Sequence, residues 1–447
     1  MNGERLVAAA LAALLALTVW MVWRIGDATH EAAPTAETRT ASAAGADPPA
    51  AASSRVPPDA AAQAPSADEL VVCGVGTVRA RHRDDALAQG WQRIAERHAD
   101  AARDALMLGL AMSGDERQRA AATIWSAAQA SRTAAARSAA RHGLDRDRCA
   151  EVPACRESAR ADGDEAADTH VRALARSAAS TRDPHVYAFA LGLCRARASA
   201  VSAASATSAA SAECAMLSTA QWARLDPDNA APWLAAAREA AERRDDAAYA
   251  EAIHRAAGAR VLDDGLGALF GVLGQPWIEA LPAGVRAAVT AQWLEVALGF
   301  PLDVPGHAPA WCRDGAADAN RRQSCEGLAA LFLERSTSMV HLAVGRSIGR
   351  ALGWSDERLA ALRQQHDGLH AIASDTQDAA DPLSCERLDE LRHRVAAREH
   401  LGGEVGSVRD AARRSGLDSD ALAARGRAWR DDRAAAAQAA ASAAGAR

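Results

Sequence analysis

The sequence predicts an all-α fold, an irregular array of helical hairpins behind one N-terminal transmembrane helix. Three observations carry this. Ala, the best helix former, supplies much of the 49% hydrophobic share of the 447 residues, while Phe (4) and Tyr (2) are scarce. Leu, Val and the 11 Trp must therefore fill the core. Apolar residues recur three or four apart through most of the chain beyond Asp84. Residues 6–23 form one uninterrupted apolar run.

As a helix, residues 6–23 span about 27 Å, enough for a bilayer core. Trp20 and Trp23 sit at the outer end, where indoles favour the interface, and Arg24 closes the run. A cleaved signal peptide has a shorter apolar region followed by a small-x-small site. Here no such site follows directly, although Ala-rich sequence further on keeps cleavage open. The segment reads as an uncleaved signal-anchor behind a cytoplasmic stub, residues 1–5. Residues 24–67, with Pro48-Pro49 and Pro57-Pro58, show no apolar period and read as a disordered tether.

The eight cysteines, Cys73, Cys149, Cys155, Cys194, Cys214, Cys312, Cys325 and Cys385, all follow the apolar run, and none forms a C-x-x-C pair. This fits a disulfide-bonded exported domain rather than a zinc ribbon; buried reduced thiols are the alternative. Eight cysteines allow 105 pairings. Sequence neighbours are the first choice: Cys149 with Cys155, Cys194 with Cys214, Cys312 with Cys325, leaving Cys73 for Cys385. The expected location is a bacterial inner membrane, single pass, with the C-terminal domain in the periplasm. The bacterial assignment rests on composition: every one of the 51 cationic residues is Arg and none is Lys, as codon bias in a GC-rich genome produces. A net charge of −6 speaks against nucleic acid as a partner. The expected partners are the membrane, through residues 6–23, and an envelope protein.

An α-helical domain is expected over residues 68–432. It opens with a β-prone segment, residues 70–78, which reads as one strand or an extended piece. Gly74 and Gly76 form a G-x-G without the third Gly of a dinucleotide fingerprint. From Asp84 one apolar stripe runs through Leu87, Trp91, Ile94, His98, Ala101, Ala105, Leu108 and Met112, with His98 read as a core histidine. Ser113-Gly114-Asp115 ends this helix and caps the next, which runs to about Arg141. Asp183-Pro184 starts another helix. Residues 198–212 read as a flexible Ala/Ser loop, which a Cys194–Cys214 bond would staple for about 3 kcal/mol. Later helices are expected near 216–225, 231–242, 246–258, 263–272, 283–299, 318–333, 337–352, 356–370, 385–399 and 407–432, with residues 433–447 as a frayed tail. The Trp set, Trp125, Trp222, Trp277, Trp293, Trp311 and Trp429 included, reads as core rather than as a ligand groove.

Residues 225–233, Leu-Asp-Pro-Asp-Asn-Ala-Ala-Pro-Trp, resemble the junction between tetratricopeptide repeats. Pro227 stands where one repeat ends and Trp233 at the aromatic position of the next helix. Asp245 matches the acidic turn residue, and Ile253 and Ala256 the bulky and small positions of the second helix. The chain departs from the pattern at Ala237 and Arg244, where Gly is usual, and at Tyr249, where a small residue is usual. One near-consensus unit, residues 225–259, implies an irregular TPR-like array; such arrays bind partners on concave faces.

Chemistry-bearing candidates are few. His366-Asp367-Gly368-Leu369-His370 places two His one turn apart, where they can share a metal, and resembles the zincin H-E-x-x-H motif with a shorter base at Asp367. Gly368 weakens a helix there. Glu390, His393 and Glu399 are the downstream options for a third ligand. Ser336 near His341 lacks a nucleophile elbow and reads as a helix cap. Ser407 reads as a capping-box variant, and residues 354–357 as another helix start with acids in its first turn. No cofactor is expected. The chain reads as a non-enzymatic interaction or scaffold module, with a metal-dependent hydrolase centred on His366 and His370 as the alternative.

Overall fold

The computed structural model describes residues 69–79, 83–202, 211–300, 307–315, 318–374 and 381–445. The expected stub, membrane segment and tether lie outside these. No helix among the described residues is long and apolar enough to cross a membrane.

The described chain opens with a hairpin, β1 (Glu69–Val72) antiparallel to β2 (Gly76–Arg79), with Val72 opposite Gly76. Everything after it is helical. α1 (Arg83–Arg97) and α2 (Ala99–Ala111) lead into a long antiparallel pair, α3 (Glu116–Arg141) and α5 (Pro153–Ala178), joined through α4 (Arg146–Glu151). α6 (Pro184–Ser202), α7 (Ala212–Ala215) and α8 (Thr219–Leu225) precede the hairpin α9 (Ala231–Glu242) and α10 (Asp246–Ala257). α11 (Leu266–Gly271) continues as a 3₁₀ turn, Val272–Gly274, followed by α12 (Pro276–Glu279), α13 (Ala283–Leu298) and α14 (Ala308–Asp314). α15 (Ala319–Glu334) and α16 (Met339–Ala351) form a second hairpin against α10. α17 (Asp356–Ser374), α18 (Cys385–Ala396), α19 (Arg398–Leu401), α20 (Gly403–Arg414) and α21 (Ser419–Gly445) complete the chain.

Two main cores result. The first joins the β-hairpin, α1–α3, α5, α6, α11, α13 and α18 around Trp125 and Trp293, whose ring centroids lie 6.2 Å apart. Trp293 Nε1 donates to Leu269 O at 2.7 Å, whereas the equally buried Trp125 Nε1 has no hydrogen-bond partner among the described residues. The second joins α9, α10 and α14–α16 around Leu234, Ile253, Leu328, Phe332 and Ile348. A smaller cluster, Met339, Leu342, Leu369, Val405 and Val408, holds α16, α17 and α20 together. The Trp set divides accordingly: Trp125, Trp222 and Trp293 are buried, while Trp277, Trp311 and Trp429 are half-buried at the edges.

All eight cysteines are paired: Cys73–Cys385, Cys149–Cys155, Cys194–Cys214 and Cys312–Cys325. The first spans 312 residues and fastens the β-hairpin turn to α18. Gly74 and Gly76 serve that turn, with φ of 70° and 104°, a region where a side chain is strained. Leu383 O accepts from Cys73 N at 2.9 Å beside the bond.

Several expectations need correction. The stripe from Asp84 is not one helix: it breaks at His98, which is half-buried against Gly74 and Gly284. The break shifts the phase, so Ala102, Leu106 and Leu110 face the core while Leu108 and Met112 are 62% and 76% exposed. Residues 142–182 had no assigned element, yet α5 is 26 residues long. Its first part packs through small side chains, with Gly163 over Ser131 and Ser138 bonded to Ser158 at 2.9 Å, and an apolar period, Val171, Leu174, Ala175 and Ala178, marks only its last two turns. Helix continues to Ser202 and resumes at Ala212, which narrows the expected loop; residues 203–210 are outside the described set. The expected 407–432 helix is two, α20 and α21, separated at Gly416 with φ of 67°, and α21 continues through most of the tail that was expected to fray. The hairpin expected at 231–257 is present: Asp245 caps α10 by accepting from Ala248 N at 3.0 Å, and Ile253 and Ala256 are buried.

Gly368 has a different role from the one expected. α17 and α21 meet backbone to backbone, and a Cβ on Gly368 would lie 2.3 Å from Leu422 O. Gly426 is equally close to the Gly368 and Gln364 backbone. Helix propensity alone makes Gly368→Ala stabilising by about 1 kcal/mol. The crossing makes it destabilising by about 1–3 kcal/mol instead. Urea unfolding of the G368A variant decides between them by its sign.

Candidate functional site

The metal pair of the alternative reading, His366 and His370, lies at a helix-packing contact. His366 is 3% exposed, and its ring centroid lies 4.6 Å from that of His370. His370 stacks on Trp429 of α21 at 5.5 Å and 7°. Asp367, the base of the zincin-like reading, accepts from Arg430 Nε at 2.8 Å. The third-ligand options are elsewhere: Glu390 accepts from Arg387, His393 bonds Glu279 at 2.7 Å, and Glu399 lies against Gly271. No group of three His, Cys, Asp or Glu among the described residues is arranged to hold a metal. Neither His366 nitrogen has a hydrogen-bond partner. Burial, reinforced by His370 and Arg346, holds its pKa well below the usual range, and burial lowers that of His370. The pair is neutral and locks α17 to α21.

The serine candidates are structural. Ser338, not Ser336, caps α16 by accepting from His341 N at 3.3 Å; Ser336 closes the preceding turn with a 2.6 Å bond to Ser338 O. Ser407 lies inside α20, buried, and donates to Arg394 O at 3.3 Å, so it caps nothing. Asp356 and Glu357 do occupy the first turn of α17.

The strongest polar constellation lies where the two cores meet, and sequence reasoning missed it. Asp183, at the start of α6, accepts from Arg117 Nε at 2.6 Å and from His185 N at 2.8 Å. His185 Nε2 bonds Asp263 Oδ2 at 3.0 Å. The buried Asn229 amide locks the 226–231 turn to this segment. Its Oδ1 accepts from Ala231 N and Asp263 N, each at 3.0 Å, and its Nδ2 donates to Asp263 O at 2.7 Å and Asp226 Oδ2 at 2.8 Å. Burial opposes charge on His185, but the bonds to Asp183 and Asp263 prevail and raise its pKa to about 9. Burial likewise opposes ionisation of Asp183 and Asp263, and His185 holds both below the usual carboxylate range.

Next to this network a cleft opens along the seam, lined by Arg195, Trp222, Leu234, Asp264, Phe300 and His341. Asp264 Oδ1 accepts from Leu266 N at 3.0 Å. Burial, with the charges of Asp263 and Glu404, pushes the Asp264 carboxyl up to about 6. His341 is 3% exposed, stacks on Phe332 at 5.4 Å, and has no partner at Nδ1; burial takes its pKa down to about 4. Arg195 pairs with Glu239, which also accepts from Thr219 Oγ1 at 2.9 Å. The one signal in the sequence was Asn229 between Asp228 and Ala230, which was read only as repeat turn. Comparison with family models, curated proteins and solved structures finds no match to this chain.

These shifts set the pH dependence of stability. His341, His366 and His370 prefer the neutral form when folded, whereas unfolded His takes a proton near pH 6.5. Their contribution is complete above pH 6.5 and is lost as pH falls below it. Asp264 acts in the opposite sense below pH 6 and offsets part of the loss. His185 contributes fully below pH 6.5 and loses its contribution as pH rises through about 9. Urea midpoints measured from pH 4.5 to 9.5 should peak between about 6.5 and 7.5; a monotonic profile contradicts this charge assignment.

Proposed function

We propose that the chain is a non-enzymatic interaction module of the bacterial envelope, anchored by residues 6–23 with its helical body in the periplasm. The observation that carries the reading is the pairing of all eight cysteines in a helical body that follows an apolar segment. Structural disulfides persist in oxidising compartments. The packing of the α9/α10 hairpin against the α15/α16 hairpin is the basis for proposing a role in holding an envelope protein. The N-terminal end of α15 adds a surface of suitable chemistry. Arg321 stacks 4.1 Å over Trp311, Arg358 stacks 3.3 Å over Trp354, and Trp354 Nε1 donates to Glu326 at 3.0 Å. Half-buried Trp beside Arg is the composition that dominates binding energy at protein interfaces.

In spheroplasts, external protease should remove the body of the membrane-bound protein, and alkylation under denaturing, non-reducing conditions should modify none of its cysteines. A protected body with eight alkylated thiols would place the domain in the cytoplasm and end this reading.

A further inference from the structure

We propose that the groove between α16, α17 and α21 binds a doubly charged phosphate group, gripped by the guanidiniums of Arg346, Arg350 and Arg363. The site does not depend on the envelope reading. Helix geometry, missing partners and charge point to it together.

Helical spacing sets the three arginines around one groove. On α16, Met339, Leu342 and Arg346 share a face, and Arg350 follows one turn later. Met339 and Leu342 pack in one cluster with Leu369 of α17, so Arg346 meets α17 a turn nearer the 352–355 connection. On α17, Arg363, Asp367 and His370 form an i, i+4, i+7 ridge. α21 closes the other side, where Arg430 binds Asp367 and Trp429 stacks on His370. The charged neighbours of Arg346 are accordingly Asp367, Arg363, Arg350 and Arg430.

These arginines lack acidic partners. Arg346 is half-buried, and its Nε is closed to solvent without a hydrogen-bond partner. Its two terminal nitrogens reach solvent, and no described residue bonds or pairs with them. Arg350 and Arg363 are exposed at the rim, and neither forms an ion pair among the described residues. Asp367, the carboxylate beside Arg346, already accepts from Arg430 Nε at 2.8 Å. Elsewhere arginines pair within their own helix, as Arg172 does with Asp168 at 2.7 Å and Arg255 with Glu251 at 2.8 Å. Burial, reinforced by Arg363, Arg350 and Arg430 against Asp367, takes the pKa of Arg346 down to about 10. A desolvated charge remains costly until a counter-charge reaches it. Guanidinium forks match the oxygens of a phosphate, and three of them around one opening favour a dianion over a monoanion.

The test is calorimetric titration of the oxidised full-length chain with inorganic phosphate at pH 7.5 and constant ionic strength, with acetate as control. One saturable site is expected for phosphate, with acetate weaker by about tenfold or more. Arg346→Met removes a guanidinium that no described residue bonds, so the R346M variant should melt no lower than the parent. Its phosphate affinity should fall about thirtyfold or more, the cost of removing one partner of a desolvated charged contact. The double variant R350Q/R363Q changes only exposed positions, so it keeps the fold and should bind about fivefold or more weaker. Arg103→Gln, on α2, removes a charge outside the groove and should leave the affinity within about twofold. Displacement of phosphate by n-butyl phosphate would assign the group to a phosphate ester, and no displacement to free phosphate; both keep the site. Absence of saturable phosphate binding, equal binding of acetate, or undiminished binding by folded R346M or by R350Q/R363Q would overturn the proposal.

Discussion

The four hydrogen bonds of the Asn229 amide hold the molecule's two main cores in register. The chain leaves the first core at the α8–α9 turn, builds the α9/α10 hairpin of the second core up to Leu262, and returns to the first core at Leu269, just past the 261–265 segment. Asn229 joins them by taking Ala231 N and Asp263 N on its oxygen and giving both amide protons to Asp226 and Asp263 O. At 2% exposure it has no water to fall back on, so each lost bond would leave a buried polar group unsatisfied. Asp263 is thereby presented to His185, and its neighbour Asp264 to the cleft.

The charges along the seam follow from that placement. His185 is a cation between two carboxylates, whereas His341, His366 and His370 are neutral because burial excludes charge and no carboxylate is bonded to them. The same logic explains Arg392, the one fully buried guanidinium among the described residues. It reaches Leu273 O at 2.9 Å, Glu279 at 2.7 Å and Asp389 at 3.4 Å, so every side of its charge is answered. The disulfides act at a different level. Cys73–Cys385 fastens the β-hairpin to α18, while the three shorter bridges staple neighbouring elements.

Helices with bulky stripes and visible breakers were legible in the sequence. α9, α10, α15 and α16 lie within two residues of their expected bounds because Pro232, Asp245, Asp318 and Ser338 mark their starts. Three of the four cysteine pairs were legible from proximity along the chain, and Cys73–Cys385, 312 residues apart, only as the pair left over. α5 was not, since its first part packs through Gly163, Ser158 and Ala side chains and its apolar period is confined to residues 171–178. The break at His98 was hidden because the stripe keeps a helical spacing across it. For the candidate site, the i, i+4 spacing of His366 and His370 was read correctly as one face, but the spacing cannot say whether that face meets solvent or another helix. The seam constellation joins residues from 117 to 341, and nothing local in Asp183, His185, Asp263 or Asp264 announces their meeting.

Hydrogen exchange on an Asn229→Ala variant tests the role of that amide most directly. Amides of residues 226–231 and 261–266 should lose protection together, while those of the β-hairpin and α18, fastened by Cys73–Cys385, keep theirs. Unchanged protection in both seam segments would show that packing alone holds the two cores in register and would contradict the account.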